Sequence, residues 1–294
     1  MKKFKTISNC PVCNETDFTK FMECVDYTVS QDTFTIVECQ SCQFHFTNPI
    51  PLVEEIGEYY KSESYVSHSS TNKGLINKIY QTVRKYTLKQ KVKLISNYSK
   101  GHNHLDIGAG TGHFINATTL SGFNSIGLEP DVDARKLAED THKVNIQPLE
   151  NLYNLEKKSI DVITMWHVLE HVYDLNKDLK QIESVLKDDG VMIVAVPNMN
   201  SYDAKHYKEH WAAYDLPIHL YHFTPNDIDN LFNKFNMEIV EILPMKFDSY
   251  YVSMLSEKYK KGNIVSAVIN GLESNLKANP KEYSSQTYII KKKA

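Results

Sequence analysis

The amino-acid sequence predicts an α/β protein, a parallel sheet with helices on both faces, preceded by a small cysteine-rich module. Three observations carry this expectation. From His104 onward, short apolar strand candidates alternate with helical patterns, as strand–helix–strand units do. A glycine-rich run, Gly108-Ala109-Gly110-Thr111-Gly112, stands where the first of those strands turns into a helix. Near the N-terminus, Cys10/Cys13 and Cys39/Cys42 form two Cys-x-x-Cys pairs, and each such pair can clasp one edge of a tetrahedral zinc ion.

Residues 1–51 are expected to be the zinc-ribbon-like module. The β-rich stretch Phe34-Thr35-Ile36-Val37 leads into the second cysteine pair, and Asn48-Pro49-Ile50-Pro51 reads as an extended linker, because proline disfavours helix at itself and just before. The 25 residues between the pairs exceed the common ribbon spacing, yet no βα pattern follows either pair as a redox motif would require. The fifth cysteine, Cys24, reads as a small buried residue. Residues 52–100 form a helical connector. In it Leu75, Ile76, Ile79, Tyr80 and Val83 recur at helical spacing, and Lys78, Arg84, Lys85, Lys89, Lys91 and Lys93 make the wet face.

Residues 101–294 make the main domain. Strands are predicted at His104–Ile107, Asn124–Leu128, Ile160–Met165 and Val191–Val196, with helices at Phe114–Ser121, Asp133–Thr141 and Asp174–Leu186. Gly190 is expected to end the last helix in a left-handed cap. After Pro225 follow a helix, Asp227–Phe235, and two late strands, Glu238–Leu243 and Thr287–Ile290, expected to pair antiparallel at a sheet edge.

Composition narrows the partners. With 294 residues, 41% of them hydrophobic, the chain can bury a sizeable core. A net charge of −3 and a pI near 6.5 offer no basic face for a phosphate backbone, so no nucleic-acid partner is expected. No apolar run approaches the roughly 18 residues of a membrane span, and the basic N-terminus lacks the apolar stretch of a secretory signal. A cytoplasmic protein with reduced cysteines is expected. The tail Lys291-Lys292-Lys293 reads as a solvated strand end.

The glycine run is spaced G-x-G-x-G, not the G-x-G-x-x-G of dinucleotide sites, and Asp106 precedes it by two residues. The next strand ends in Glu129-Pro130, where a carboxylate can accept hydrogen bonds from both ribose hydroxyls of a nucleoside. Two acids so close disfavour a free diphosphate but suit a sulfonium. With Met165-Trp166-His167-Val168-Leu169-Glu170-His171-Val172 added, the segment from about His104 to Phe223 resembles class I S-adenosylmethionine-dependent methyltransferases. The resemblance implies a Rossmann-like seven-stranded sheet, six strands parallel and one antiparallel near the edge, with the two late strands in the last places. It places Gly108, Ala109 and Gly110 along S-adenosylmethionine and Asp106 near its amino-acid end. Glu129, with Pro130 beside it, holds the ribose. Leu149 and Glu150 lie near the adenine, and Met165, Trp166 and His167 close the pocket.

Methyl transfer is an in-line displacement, and a hydroxyl or acidic carbon acceptor needs a base, for which histidine is best poised. His167 and His171 lie one helical turn apart with Glu170 beside them. This H-x-x-E-H string is known from metalloproteases, but here it follows a strand end and matches the methyltransferase segment instead. His167 is the active-site candidate, and His171 is read as structural. The stretch Trp211 to Pro225 resembles the Pro-Arg-His-Leu-Tyr-His-Phe segment of bacterial methyltransferases acting on sugars, lipids and quinone-like acceptors. Ile218 stands in place of the usual arginine, which removes a contact to an anionic substrate. His219 is the expected substrate-side residue, with Tyr221 and His222 next to it. The cysteine module is similar to those of methyltransferases that modify the sugar of a nucleotide-sugar at carbon. The expected function is therefore methyl transfer to a small molecule, a sugar, nucleotide-sugar or related hydroxylated metabolite, in a protein with structural zinc. An RNA or protein methyltransferase fits the zinc module but not the near-neutral charge. A catalytically silent cofactor-fold binding protein fits neither the intact glycine loop nor Glu129.

Overall fold

A computed structural model describes residues 3–60, 75–279 and 281–293, leaving aside the side chains of 75–81, so Lys78 and the apolar positions 75–80 lie outside the described residues. The N-terminal region forms β1 (Phe4–Lys5), β2 (Phe18–Val25), β3 (Thr33–Cys39), β4 (His45–Thr47) and β5 (Ile50–Pro51). The Ile50-Pro51 end of the expected linker pairs antiparallel with β1, and β2, β3 and β4 make an antiparallel meander.

Helix α1 (Leu75–Tyr98) lays Leu88, Val92 and Ile95 against Val162, Val191 and Ile193 of the large sheet. Lys85, Lys89 and Lys93 are exposed, as a wet face requires, but Lys91 is not. Its Nζ lies 4.1 Å from the Trp166 ring centroid. The reason is in the spacing, since 88, 91, 92 and 95 form a single i, i+3, i+4, i+7 stripe and Lys91 belongs to the apolar side.

The sheet follows in order: β6 (Asn103–Ile107), α2 (His113–Leu120), β7 (Asn124–Leu128), α3 (Val132–His142), β8 (Ile146–Gln147), β9 (Ile160–Trp166), α4 (Leu175–Val185), β10 (Leu186–Pro197), α5 (Tyr202–Tyr207), β11 (Tyr221–His222), α6 (Pro225–Asn233), β12 (Met237–Pro244), α7 (Asp248–Tyr259), α8 (Ile264–Lys277) and β13 (Ser285–Lys292). Seven strands lie in the order β12-β13-β10-β9-β6-β7-β8. Strands β6 to β10 pair parallel, and β13 runs antiparallel to both β10 and β12. This is the expected Rossmann-like methyltransferase sheet, with the two late strands where the resemblance places them. The short strand β11 leaves the domain and pairs with β4, so the second sheet reads β11-β4-β3-β2.

Gly190 is not a left-handed cap: α4 stops at Val185, the next residue is already extended, and β10 carries a register irregularity between Leu186 and Val191. A Cβ at Gly190 would lie 2.7 Å from Leu186 Cδ1, so the glycine serves close packing in that irregularity. Helices α7 and α8 were not anticipated. Lys292 is not a solvated tail residue either; its ammonium pairs with Glu183 at 2.8 Å and its side chain is 11% exposed.

Candidate active site

The parallel strands all point their carboxyl ends at one crevice, and the order reverses around β6, flanked by β9 and β7, the position where open α/β sheets bind ligands. Gly108, Gly110 and Gly112 all adopt positive φ, at 72°, 52° and 77°. Gly108 and Ala109 N–H groups both donate to the Leu128 carbonyl, at 2.8 and 2.9 Å, which ties the loop to the end of β7. Next to it, Glu129 Oε2 accepts from Gly110 N–H at 2.8 Å and its Oε1 from Asp131 N–H at 3.0 Å. Arg135 Nη1 donates to the Glu129 carbonyl, and Asp131 caps α3 through Ala134 N–H. Burial raises the Glu129 carboxyl above its ordinary range. Pro130 is exposed; Leu149 and Glu150 open the 3₁₀ turn after β8, with Glu150 exposed.

On the other side of the loop Asp106 is buried and accepts from the Thr164 hydroxyl at 2.6 Å. Thr164 in turn lies 2.9 Å from His104 Nε2. Burial pushes Asp106 up to about 7, against the Thr164 hydrogen bond and the Lys91 charge. Burial likewise pulls Lys91 down to about 8, against the charges of Asp248 and Asp106. Met165 is fully buried, and Trp166 beside it keeps a buried Nε1 with no hydrogen-bond partner among the described residues. The residues fit a nucleoside-linked amino acid: an open cradle at Gly110, a carboxylate at the strand end, and a buried acid, cation and orphan donor across the loop.

His167 follows β9 in the left-handed region, φ 57°. Its Nε2 lies 3.0 Å from Asp248 Oδ2, and its Nδ1 3.4 Å from Glu170 Oε1. These two carboxylates overcome burial and lift the imidazole to about 10, so at neutral pH it is an imidazolium and not a proton acceptor. Asp248 comes from α7, which sequence periodicity did not reveal. His219 is buried, donates Nδ1–H to the Ala213 carbonyl at 2.8 Å, and is held well below its ordinary pKa by burial. His171 meets it ring edge to face, with centroids 4.6 Å apart. Tyr221 packs its ring between Phe44 and Phe223, and its hydroxyl donates to the Tyr173 carbonyl at 3.4 Å. His222 Nε2 lies 3.1 Å from Thr47 Oγ1, and burial pulls its pKa down to about 3. Both residues thus meet partners inside the fold.

The four cysteines of the two pairs converge, with Cys10 and Cys42 Sγ 3.5 Å apart and Cys13 and Cys39 Sγ also 3.5 Å apart. All four Sγ lie within 4.8 Å of one another. Tetrahedral zinc with Zn–S bonds of about 2.3 Å asks for sulfurs roughly 3.8 Å apart, so the set fits the ion. Each pair is followed by a left-handed residue, Asn14 or Gln43, which closes the same tight turn twice. Cys24 is buried, as the sequence suggested.

A family model for a methyltransferase domain matches residues 80–242. An uncharacterized protein of Methanocaldococcus jannaschii is 28% identical over 169 residues, 57% of this chain and 59% of its own length. The ubiquinone biosynthesis O-methyltransferase of Rhodopseudomonas palustris is 28% identical over 111 residues, 34% of this chain and 42% of its own length. The chain therefore spans about half the length of these curated relatives. Among solved structures, a putative sarcosine dimethylglycine methyltransferase from Galdieria sulphuraria superposes with TM-score 0.52 at 13% identity, over 72% of this chain and 86% of that one, a likeness of fold.

Proposed function

Because the chain belongs to the methyltransferase-domain family, we propose that it transfers a methyl group from S-adenosylmethionine to a hydroxylated small molecule, with a sugar or nucleotide-sugar as the acceptor class. One observation carries the donor assignment. Among the described residues beyond its chain neighbours, the position of a Cβ on Gly110 has nothing within 4 Å, beside a strand-end carboxylate that already holds the loop through Gly110 N–H. S-adenosylmethionine supplies an electrophilic methyl on a sulfonium, and the chain's residues do the rest. Gly108, Ala109 and Gly110 line its length, Glu129 keeps lone pairs for the ribose hydroxyls, and Leu149 and Glu150 flank the adenine. Asp106, Lys91 and Trp166 Nε1 meet the ammonium and carboxylate of the amino-acid end. Lys91→Met, which keeps the volume and removes the charge, should weaken S-adenosylmethionine binding about tenfold, close to 1.4 kcal/mol; titration calorimetry giving wild-type affinity would remove Lys91 from the site.

On the acceptor side, the neutral imidazoles of His219 and His171 and the carboxylate of Glu170 face one another and supply the lone pairs that handle an acceptor hydroxyl. The imidazolium of His167 fixes Glu170 and Asp248. Cys10, Cys13, Cys39 and Cys42 hold structural zinc, and thiols kept for a metal suit the reducing cytoplasm. The near-neutral net charge supports a small hydroxylated substrate over RNA. Calorimetry with S-adenosylmethionine and S-adenosylhomocysteine, followed by a methylation screen of nucleotide-sugars, tests the reading. His219→Ala should lower turnover by 10²–10⁴ with cofactor affinity within about twofold of wild type. If cofactor affinity falls along with turnover, His219 belongs to the scaffold of the pocket instead.

A further inference from the structure

We infer that Glu170, His171 and His219 form a second metal site, one for a divalent transition ion on the acceptor side of the crevice. Each offers a ligand atom, and these atoms lie within 4.8 Å of one another. Two further features make the group more than a cluster of polar residues. First, Glu170 is 1% exposed, and neither of its carboxylate oxygens has a hydrogen-bond partner among the described residues. Its counter-charge is the His167 ring, 3.4 Å from Oε1 and shared with Asp248, and Oε2 meets no polar partner among the described residues. A buried carboxylate without hydrogen bonds is costly, and an ion is one of the few ways to satisfy it.

Second, both histidines are set up as ligands. Nδ1–H of His171 is directed at the Ile218 carbonyl, 2.9 Å away, with the Tyr60 hydroxyl at 3.0 Å. Nδ1–H of His219 donates to the Ala213 carbonyl at 2.8 Å. A backbone carbonyl on one ring nitrogen fixes the tautomer and leaves the other nitrogen as a lone-pair donor, which is the outer-shell arrangement of metal-ligating histidine. His219 is buried and His171 half-buried.

Metal–ligand bonds of about 2.1 Å need ligand atoms roughly 3.4 Å apart, so the three side chains would close by at most about 1.4 Å on the ion. Two imidazoles and one carboxylate suit Mn²⁺, Fe²⁺, Co²⁺ or Zn²⁺ over Mg²⁺ or Ca²⁺. Three protein ligands leave at least one coordination position open. The ion's role as a Lewis acid for that oxygen rests on the methyl-transfer reading; its binding does not.

The test is a Mn²⁺ titration of the full chain with its cysteine site loaded with zinc, read by the loss of the free-ion electron paramagnetic resonance signal. Mn²⁺ is a hard ion that the four-thiolate site holds poorly, so the signal reports the histidine–carboxylate group. About one Mn²⁺ per chain is expected, with affinity reduced at least tenfold in Glu170→Gln and in His219→Ala. No Mn²⁺ bound by wild type at millimolar ion, or undiminished binding by Glu170→Gln, would overturn the site. Titrating S-adenosylmethionine into the same samples separates the two ideas. A chain that binds the methyl donor but no Mn²⁺ keeps its proposed function and loses this site.

Discussion

Gly110→Val should abolish measurable binding of S-adenosylmethionine and S-adenosylhomocysteine, a loss of at least 100-fold or roughly 3 kcal/mol, while the protein remains folded. The three glycines of the loop share a positive φ but meet different surroundings. A Cβ on Gly108 would sit 2.3 Å from Val168 Cγ2, and one on Gly112 2.8 Å from the Ala138 Cβ. Substitutions there press on the protein itself, so they should act first on stability. A Cβ on Gly110 would meet no atom of the described residues beyond its chain neighbours within 4 Å, so the isopropyl group of valine enters the space assigned to the cofactor. The left-handed backbone still costs a β-branched residue about 1–2 kcal/mol, which lowers the melting temperature by roughly 2–8 °C for a domain of this size. Calorimetry and a thermal melt on one sample read both effects. Wild-type affinity in Gly110→Val would overturn the pocket assignment. A collapse in stability matching that of a Gly108 variant would place Gly110 in the packing class.

Much of the sheet was legible because its signals are local. Strand β7 was bounded to the residue, and β6, β9, α2, α3 and α4 within one or two, since each alternation of apolar strand and amphipathic helix is written in consecutive residues. What escaped notice follows from non-local causes. Helix α8 turns Ala267, Gly271 and Ser274 inward and exposes Ile264, Val265, Val268, Ile269, Leu272 and Leu276. Its polar stripe, Ser266, Asn270, Glu273 and Ser274, lies on the packed or half-buried side while the apolar residues face out, the inverse of the pattern by which a surface helix is read. Without α7, the partner of His167 was invisible, and a histidine paired with Asp248 and Glu170 is a cation where the sequence suggested an acid–base candidate. Lys91 was readable in principle, since its place in the 88–91–92–95 stripe is a matter of counting, but its charge suggested the wet face. The pairing of β11 with β4 joins residues some 175 apart, and two-residue strands carry no pattern that could announce it.

That pairing gives Cys39→Ser its expected reach. The substitution should lower zinc content from about one ion per chain toward none. It should also depress the melting temperature by about 6–12 °C, the equivalent of 3 kcal/mol in a domain of this size, a fraction of the ~10–16 kcal/mol with which structural zinc drives folding in small modules. The loss should not stay in the module, because the cysteine cluster and the methyltransferase sheet share a core in which Cys10, Cys39, Phe44 and Phe46 pack with Tyr221 and Phe223. Pro11, between the first two cysteines, accepts from Lys234 Nζ at 3.0 Å and Asn176 Nδ2 at 2.9 Å through its carbonyl. Strand β4 then carries the effect to the acceptor side: Thr47 Oγ1 donates to the His219 carbonyl at 2.7 Å, and Thr47 N–H to that of Leu220 at 2.9 Å. Loosening β4 releases the backbone that aims His219, whereas the glycine loop hangs from β6 and β7 and has no such tie. Turnover should therefore fall at least tenfold in folded Cys39→Ser protein while S-adenosylmethionine affinity stays within about twofold of wild type. Full zinc occupancy in the variant would take Cys39 out of the ligand set. Zinc loss with unchanged turnover would show that the acceptor loop keeps its shape without the metal, and would confine the module to stability alone.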